Sequence, residues 1–356
     1  VHFSLFFFAD SDAAANGRYD LLLDSARFAD ANGFTAVWTP ERHFHPFGGQ
    51  YPNPAVTGAA LATITEKVAI RAGSVVAPLH HPLRIAEEWA VVDNLSGGRA
   101  GVSFASGWHP VDFVLRPENY QDSRANMVTT VEAVRRLWRG EEIEFVDGVG
   151  EKRAVRIYPA PVQAELPVWI TSAGSPDTFA TAGRLGANVL THLLGQDHAT
   201  LQRNTAAYRA ELAATHGEQA HGQVTLMLHT LIGTDRQEVR RQVRKPLSDY
   251  LRSSIDLVVK TSKGLLPQGF DVNRLPEKDK DFLVANAFER YFTTGGLFGA
   301  VEDGVETVRR LAAAGVDEIA CLIDFGVAQD EVLRSLRHLG ELSRRCAAVN
   351  PPSPRN

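Results

Sequence analysis

Ten residues, "WTPERHFHPF" (38–47), set Glu41, Arg42, His43 and His45 among three aromatics directly after an apolar run. Two later stretches repeat the situation: "APLHHPLR" (77–84) supplies His80, His81 and Arg84, and "SGWHP" (106–110) supplies Ser106, Trp108 and His109. His192 and Asp324 end two further apolar runs. Histidine suits proton transfer because its ordinary pKa lies close to working pH. Taken singly, each of these histidines is more often a hydrogen-bonded structural residue than a catalyst, but several at converging strand ends indicate a site. "TSAGSPDT" (171–178) adds a different chemistry. It places Gly174, Ser175 and Thr178 at a helix start, with Pro176 where its missing N–H costs little. Backbone N–H groups and hydroxyls there suit a phosphate; a plain serine N-cap is the other reading.

Such residues converge only if the elements before them do. Eight short β-rich runs alternate with helix-like segments: 2–8, 34–39, 68–74, 100–106, 167–172, 187–192, 225–233 and 318–324. Between the first two, "GRYDLLLDSARFADANG" (17–33) has an apolar face at Leu22, Ala26 and Ala29 and a glycine at its far end, an amphipathic helix with its stop. Eight strand–helix pairs predict an α/β fold, a single (β/α)8 TIM barrel, whose active site lies at the carboxyl ends of the strands. A doubly wound sheet is the alternative. The non-periodic segment 260–280, after the seventh strand, reads as an inserted lid or as a surface excursion. The barrel is expected over 1–346, with 347–356 as a proline-rich tail or linker. A start at Val1 and this tail suit either trimmed, frayed ends or a domain excised from a larger synthase.

The 356 residues are 44% hydrophobic and 22% charged, with a net charge of −5. This offers no basic field for nucleic acid. No apolar run is long enough to span a bilayer, and two cysteines, Cys321 and Cys346, suit a reducing cytoplasm. Phosphate-loop, dinucleotide, zinc-protease and serine-hydrolase motifs are all missing, and no metal-ligand spacing is evident.

Together, "GFTAVWTPERHF" (33–44), "NPAVTGAALATITEKVAIRAGSVVAPLHHPLRIAEEWAVVDNLSGGRAGVSFASGW" (53–108) and "LPVWITSAGSPDTFATAGRLGANVL" (166–190) resemble the bacterial luciferase-like flavin monooxygenases. "GLFGAVEDGVETVRRLAAAGVDEIACLIDFG" (296–326) fits that family's closing helix and strand. The "TPERHF" form is similar to a subgroup associated with natural-product biosynthesis by polyketide synthases and nonribosomal peptide synthetases. The resemblance implies reduced FMN, supplied by a separate flavin reductase, and O2 as co-substrate, with oxygen transfer through a flavin C4a-hydroperoxide. It also implies an acyl or aminoacyl substrate tethered to a carrier protein.

Residue by residue, the resemblance places the FMN phosphate on Gly174, Ser175 and Thr178, with Ser106 reaching toward it. It lays the flavin ring against Gly73, Ser74 and Val75, where luciferases carry a non-proline cis peptide. Luciferases have Glu-His-His after strand two, the first histidine being catalytic; Arg42 stands there instead. An arginine stays protonated, so the expected role for Arg42 is to hold a peroxide or substrate oxygen. The proton then falls to His43, His81 or His192. A homodimer through 53–64 and 82–95 is expected by analogy, unless those helices simply pack on the barrel. Two readings compete: deazaflavin-dependent hydride transfer on the same fold, and a non-catalytic flavin-binding domain of a synthase.

Overall fold

All eight apolar runs expected as barrel strands form them. The computed structural model describes residues 1–9, 17–194, 196–253 and 275–349. In chain order its strands are β1 (His2–Phe6), β2 (Ala36–Thr39), β3 (Ala69–Val76), β4 (Ala100–Ala105), β5 (Ile143–Val146), β6 (Lys152–Val155), β7 (Val168–Ser172), β8 (Asn188–His192), β9 (Val224–Gly233), β10 (Leu297–Ala300) and β11 (Glu318–Leu322). The helices are α1 (Asp20–Ala31), α2 (Pro54–Ala62), α3 (Pro82–Ser96), α4 (Ser123–Trp138), α5 (Pro176–Arg184), α6 (His198–His216), α7 (Arg236–Ser253), α8 (Glu277–Arg290), α9 (Val301–Ala313) and α10 (Gln329–Val349).

Strands β1, β2, β3, β4, β7, β8, β9 and β11 pair in parallel, and the β8–β9 ladder closes them into a barrel. Each of β2 and β11 is buried at every position, as strands covered on both faces must be. Two additions lay outside the eight-run reading. Strand β10 extends the ladder of β9, and β5 and β6 form an antiparallel hairpin.

The amino-terminal end of the barrel is sealed by a charged layer rather than an apolar one. The Arg71 guanidinium lies 4.9 Å from the Trp38 ring and 4.4 Å from the Trp169 ring and reaches Glu318 at 2.9 Å. Ser4 and Trp38 also donate to Glu318, at 2.6 and 3.2 Å. Burial opposes the Glu318 charge, but Arg71 and these donors outweigh it and hold the carboxyl below its ordinary range. A barrel closed there leaves the opposite rim for ligands.

Helix α3 illustrates how local sequence fixes the rim. His81 is its N-cap, accepting the Leu83 N–H at 3.3 Å, Pro82 takes the first turn, and Gly97 ends it at φ 66°. Ile85, Ala86, Trp89 and Ala90 bury its inner face. The preceding residues 77–81 are thereby held against the end of β3.

Residues 254–274, most of the lid expected over 260–280, lie outside the described residues, and its last residues open α8. Helix α10 runs to Val349, past the expected boundary at 346, and the tail beyond is likewise outside them. Cys321 and Cys346 are buried and unpaired. No helix among the described residues is long and apolar enough to cross a membrane.

Candidate active site

Glu41, just beyond β2, organises the first cluster. Its Oε1 accepts from His43 Nε2 at 2.7 Å and from His80 Nε2 at 2.5 Å, and its Oε2 accepts the Val76 N–H at 2.7 Å. Sharing one carboxylate oxygen puts the proton on Nε2 of both imidazoles, so in their neutral forms Nδ1 is the basic atom. Burial works against the Glu41 charge, yet the bonds from His43 and His80 prevail and hold its carboxyl below the usual range. Burial also pulls His80 down, but its bond and attraction to Glu41 raise it above the ordinary histidine value. The ligand atoms of Glu41, His43 and His80 lie within 4.8 Å of one another, near enough to chelate a cation, although their mutual hydrogen bonds already satisfy them.

Arg42 is buried and committed. Its Nη1 donates to both Asp112 oxygens, at 2.9 and 2.7 Å, and the guanidinium lies 4.9 Å from the Trp108 ring. Asp112 thus neutralises the charge expected to hold a peroxide or substrate oxygen. What Arg42 retains is a buried Nε–H without a partner among the described residues.

The third cluster is the turn after β7. Gly174 has φ 102°, a backbone region that favours glycine. Its N–H donates to Ser172 Oγ at 3.2 Å. Ser175 is the N-cap of α5 but makes no side-chain cap bond, leaving its hydroxyl uncommitted beside the helix start. Thr178 sits in the first turn, its N–H bonded to the Ser175 carbonyl at 3.1 Å. Ser106 directly follows β4, the strand that pairs with β7 in the sheet. On the other side of β4, the Gly73–Ser74 peptide is cis, as the resemblance implied. A Cβ on Gly73 would lie 2.5 Å from the Phe6 ring, so the strand passes too close there for any side chain. The Ser74 hydroxyl bonds Thr171 Oγ1, which also meets Ser103 Oγ at 2.7 Å.

The remaining rim is largely aromatic, with Asp324 at its edge. His192, the last residue of β8, accepts the Leu194 N–H on Nδ1 at 3.2 Å, so its neutral ring carries the proton on Nε2. Burial pushes its pKa down to about 4. His229 on β9 is packed by the rings of Tyr250, Tyr291 and Phe325, at 4.8, 5.5 and 5.6 Å between centroids. Burial, with His192 close by, lowers its pKa to about 3, and its Nε2 has no partner among the described residues. Asp324, beyond β11, accepts the Phe8 N–H at 2.7 Å and the Tyr51 hydroxyl at 3.2 Å, and burial raises its pKa to about 7.

The structure therefore brings Arg42, His43, Gly73, Ser74, Ser106, Gly174, Ser175, Thr178 and His192 to one rim and leaves His81 aside. His81 is exposed, its ring meets that of Phe145 at 4.9 Å between centroids in a tilted contact, and it lines an outer cleft with Arg116. Burial, then Arg116, lowers its pKa. His80, its neighbour, joins Glu41 instead. Asp112 and His229 went unnamed from sequence. The signal for Asp112 was a single acid among apolar residues in "HPVDFVLRP" (109–117); for His229 it was a lone histidine within an apolar strand.

The profile of the family described as "Luciferase-like monooxygenase" matches residues 1–323. The oxygenase component of a flavin-dependent trigonelline monooxygenase from Acinetobacter baylyi is 23% identical over 328 residues, 90% of this chain and 88% of that protein. Among solved structures, the monooxygenase RslO1 from Streptomyces bottropensis superposes at a TM-score of 0.78, with 24% identity over 96% of this chain and 98% of its own. The oxygenating constituent of 3,6-diketocamphane monooxygenase from Pseudomonas putida, a type II Baeyer-Villiger enzyme in complex with FMN, gives 0.73, with 16% identity over 98% of both chains. The barrel is shared as well by an F420-dependent secondary alcohol dehydrogenase, at 0.65 and 16% identity over 92% of this chain and 97% of that one. This chain belongs to the luciferase-like monooxygenase family.

Proposed function

We propose that the chain is the FMN-dependent oxygenase component of a two-component monooxygenase, acting on a carrier-protein-tethered acyl or aminoacyl intermediate of natural-product biosynthesis. One observation carries the cofactor assignment: the Gly174–Ser175 turn. It combines a positive φ, the amino terminus of α5 and uncommitted hydroxyls at a single rim position, which fits a phosphate. Ser175 and Thr178 would hold that phosphate, with Ser106 beside them and Gly73 and Ser74 along the ring. Bound and reduced, FMN supplies the two electrons that divide O2 between substrate and water, with a separate reductase restoring it.

The chain's own residues hold and move protons and exclude water. Glu41 fixes His43 by Nε2, so Nδ1 of His43 accepts a proton from the substrate side, in the manner of a carboxylate-oriented base. His192 donates a hydrogen bond from Nε2, because Nδ1 is already committed to Leu194. Arg42, with its charge met by Asp112, keeps an unpartnered Nε–H to offer and braces Trp108 rather than serving as a free counter-charge. His229, Tyr291 and Phe325 supply a dry aromatic wall for an uncharged reacting group.

The homodimer remains part of this reading. Helices α2 and α3 expose Val56, Val91 and Leu95, which supports association through that face, to be read by light scattering. The main test is anaerobic titration of the full chain with reduced FMN and with reduced F420. FMN should bind the more tightly; preference for the deazaflavin would replace oxygenation with hydride transfer.

A further inference from the structure

The turn that fits a phosphate is buttressed from outside as well as by its own Ser172 bonds. Gly174 packs directly on the Gln196 side chain: a Cβ placed on Gly174 would lie 3.1 Å from Gln196 Cβ and 3.2 Å from its Cδ. Gln196 donates from Nε2 to Thr191 Oγ1 at 2.8 Å and to the His192 carbonyl at 3.1 Å. Asn204, on α6, donates from Nδ2 to the Gly174 carbonyl at 3.1 Å and to Gln196 Oε1 at 3.2 Å. Thr191 completes the relay by donating to the Ser172 carbonyl at 2.7 Å, and Ser172 Oγ receives the Gly174 N–H. Every one of these side chains is buried.

The direction of this relay is fixed by chemistry. Flipping the Gln196 amide would set its oxygen against the His192 carbonyl, and flipping Asn204 would set its oxygen against the Gly174 carbonyl. One arrangement alone satisfies all members, and a buried network so satisfied is rigid. It also ties three elements to one turn: the ends of β7 and β8 and the start of α6, whose N-cap Asp197 follows Gln196 and accepts the Thr200 N–H at 2.7 Å.

We propose that Gln196 and Asn204 are positioning residues for the phosphate of the flavin, locking the Gly174–Ser175 turn in its anion-accepting shape from the loop before α6 and from α6 itself without touching the ligand. The proposal rests on the FMN reading above. It places part of the cofactor affinity in residues remote from any ligand contact, and it predicts that the loss on removing them is specific to the phosphate.

The test is titration of oxidised FMN and of riboflavin, followed by flavin fluorescence, into the wild-type chain, Asn204→Leu and Gln196→Met. Leucine and methionine keep the volume and remove the hydrogen bonds. Each variant should lose about tenfold in FMN affinity, the worth of a hydrogen bond or two, while riboflavin affinity stays put. Equal loss of both flavins, or no loss of FMN, would overturn the proposal. Equal affinity of the wild-type chain for FMN and riboflavin would instead remove the phosphate from this turn and with it the FMN reading. Should Asn204→Leu fail to fold, Gln196→Met, which keeps its packing on Gly174, carries the same comparison.

Discussion

Replacing Glu41 with glutamine tests the proton logic of the rim with almost no change of shape. Glu41 accepts from His43, His80 and the Val76 N–H. A glutamine amide can meet all three only by donating its two hydrogens to the two Nε2 atoms and turning its oxygen to Val76. That reverses both tautomers: Nε2 becomes the acceptor and Nδ1 of His43 becomes a donor, unable to take a proton. Three charge-assisted bonds become neutral ones, each weaker by roughly 1 kcal/mol, so E41Q should lose about 3 kcal/mol of stability.

The loss depends on pH in a defined way. Glu41 has a lowered folded pKa, so its contribution is present above its ordinary 4.5 and lost as pH falls through the folded value. His80 has a raised folded pKa, so its contribution is complete below its ordinary 6.5 and lost as pH rises through the folded value. The gap between wild type and E41Q should be widest between pH 4.5 and 6.5 in urea denaturation. Product formation should fall by about a hundredfold or more, and the His80 ring protons should titrate lower by NMR. An unchanged His80 titration together with an unchanged product rate would refute the assignment of Glu41 as the orienting group.

Asp112→Ala leaves the buried Arg42 charge unpaired and should cost about 3–5 kcal/mol in urea denaturation, whereas an unchanged midpoint would mean that Arg42 finds another partner. His192 and His229, depressed to about 4 and 3, should remain predominantly neutral by NMR down to pH 5. Because unfolded histidines protonate near 6.5, these two make stability decline as pH falls below that value; a ring titrating near 6.5 would contradict their burial. Ser175→Ala with Thr178→Ala should weaken FMN binding by about tenfold while leaving the melting temperature in place, and unaltered affinity would take both hydroxyls out of the phosphate site.

The barrel was legible because its strands are short, apolar and separated by amphipathic helices; "EIACLID" and "ANVLTH" declare themselves without any partner in view. The histidines at the rim were legible for a related reason, since strand order alone fixes which ends converge. Partnerships were not. Arg42 meets Asp112 across seventy residues and His80 meets Glu41 across thirty-nine, distances over which sequence carries no geometric signal. Adjacent histidines in "LHHP" gave no means of choosing the one that turns inward, and capping α3 decided it. Strand β10, "LFGA", is too short and glycine-broken to show, and exists through pairing with the far half of β9. The β5–β6 hairpin did carry a signal, an Asp-Gly turn in "IEFVDGVGEKRAV" (143–155). The Gln196–Asn204 network had none, because amides become informative only when a buried backbone turn requires them.

The proposed reaction is transfer of one oxygen atom from O2 under control of this rim. Its most direct test is a single turnover: the full chain loaded with reduced FMN, mixed with isotopically heavy O2 and an acyl thioester on a carrier protein, with the acyl group weighed by mass spectrometry. An acyl product carrying one heavy oxygen atom is expected, and it should be lost in E41Q. An acyl group recovered without label, while the flavin is oxidised and peroxide is released in full, would contradict it.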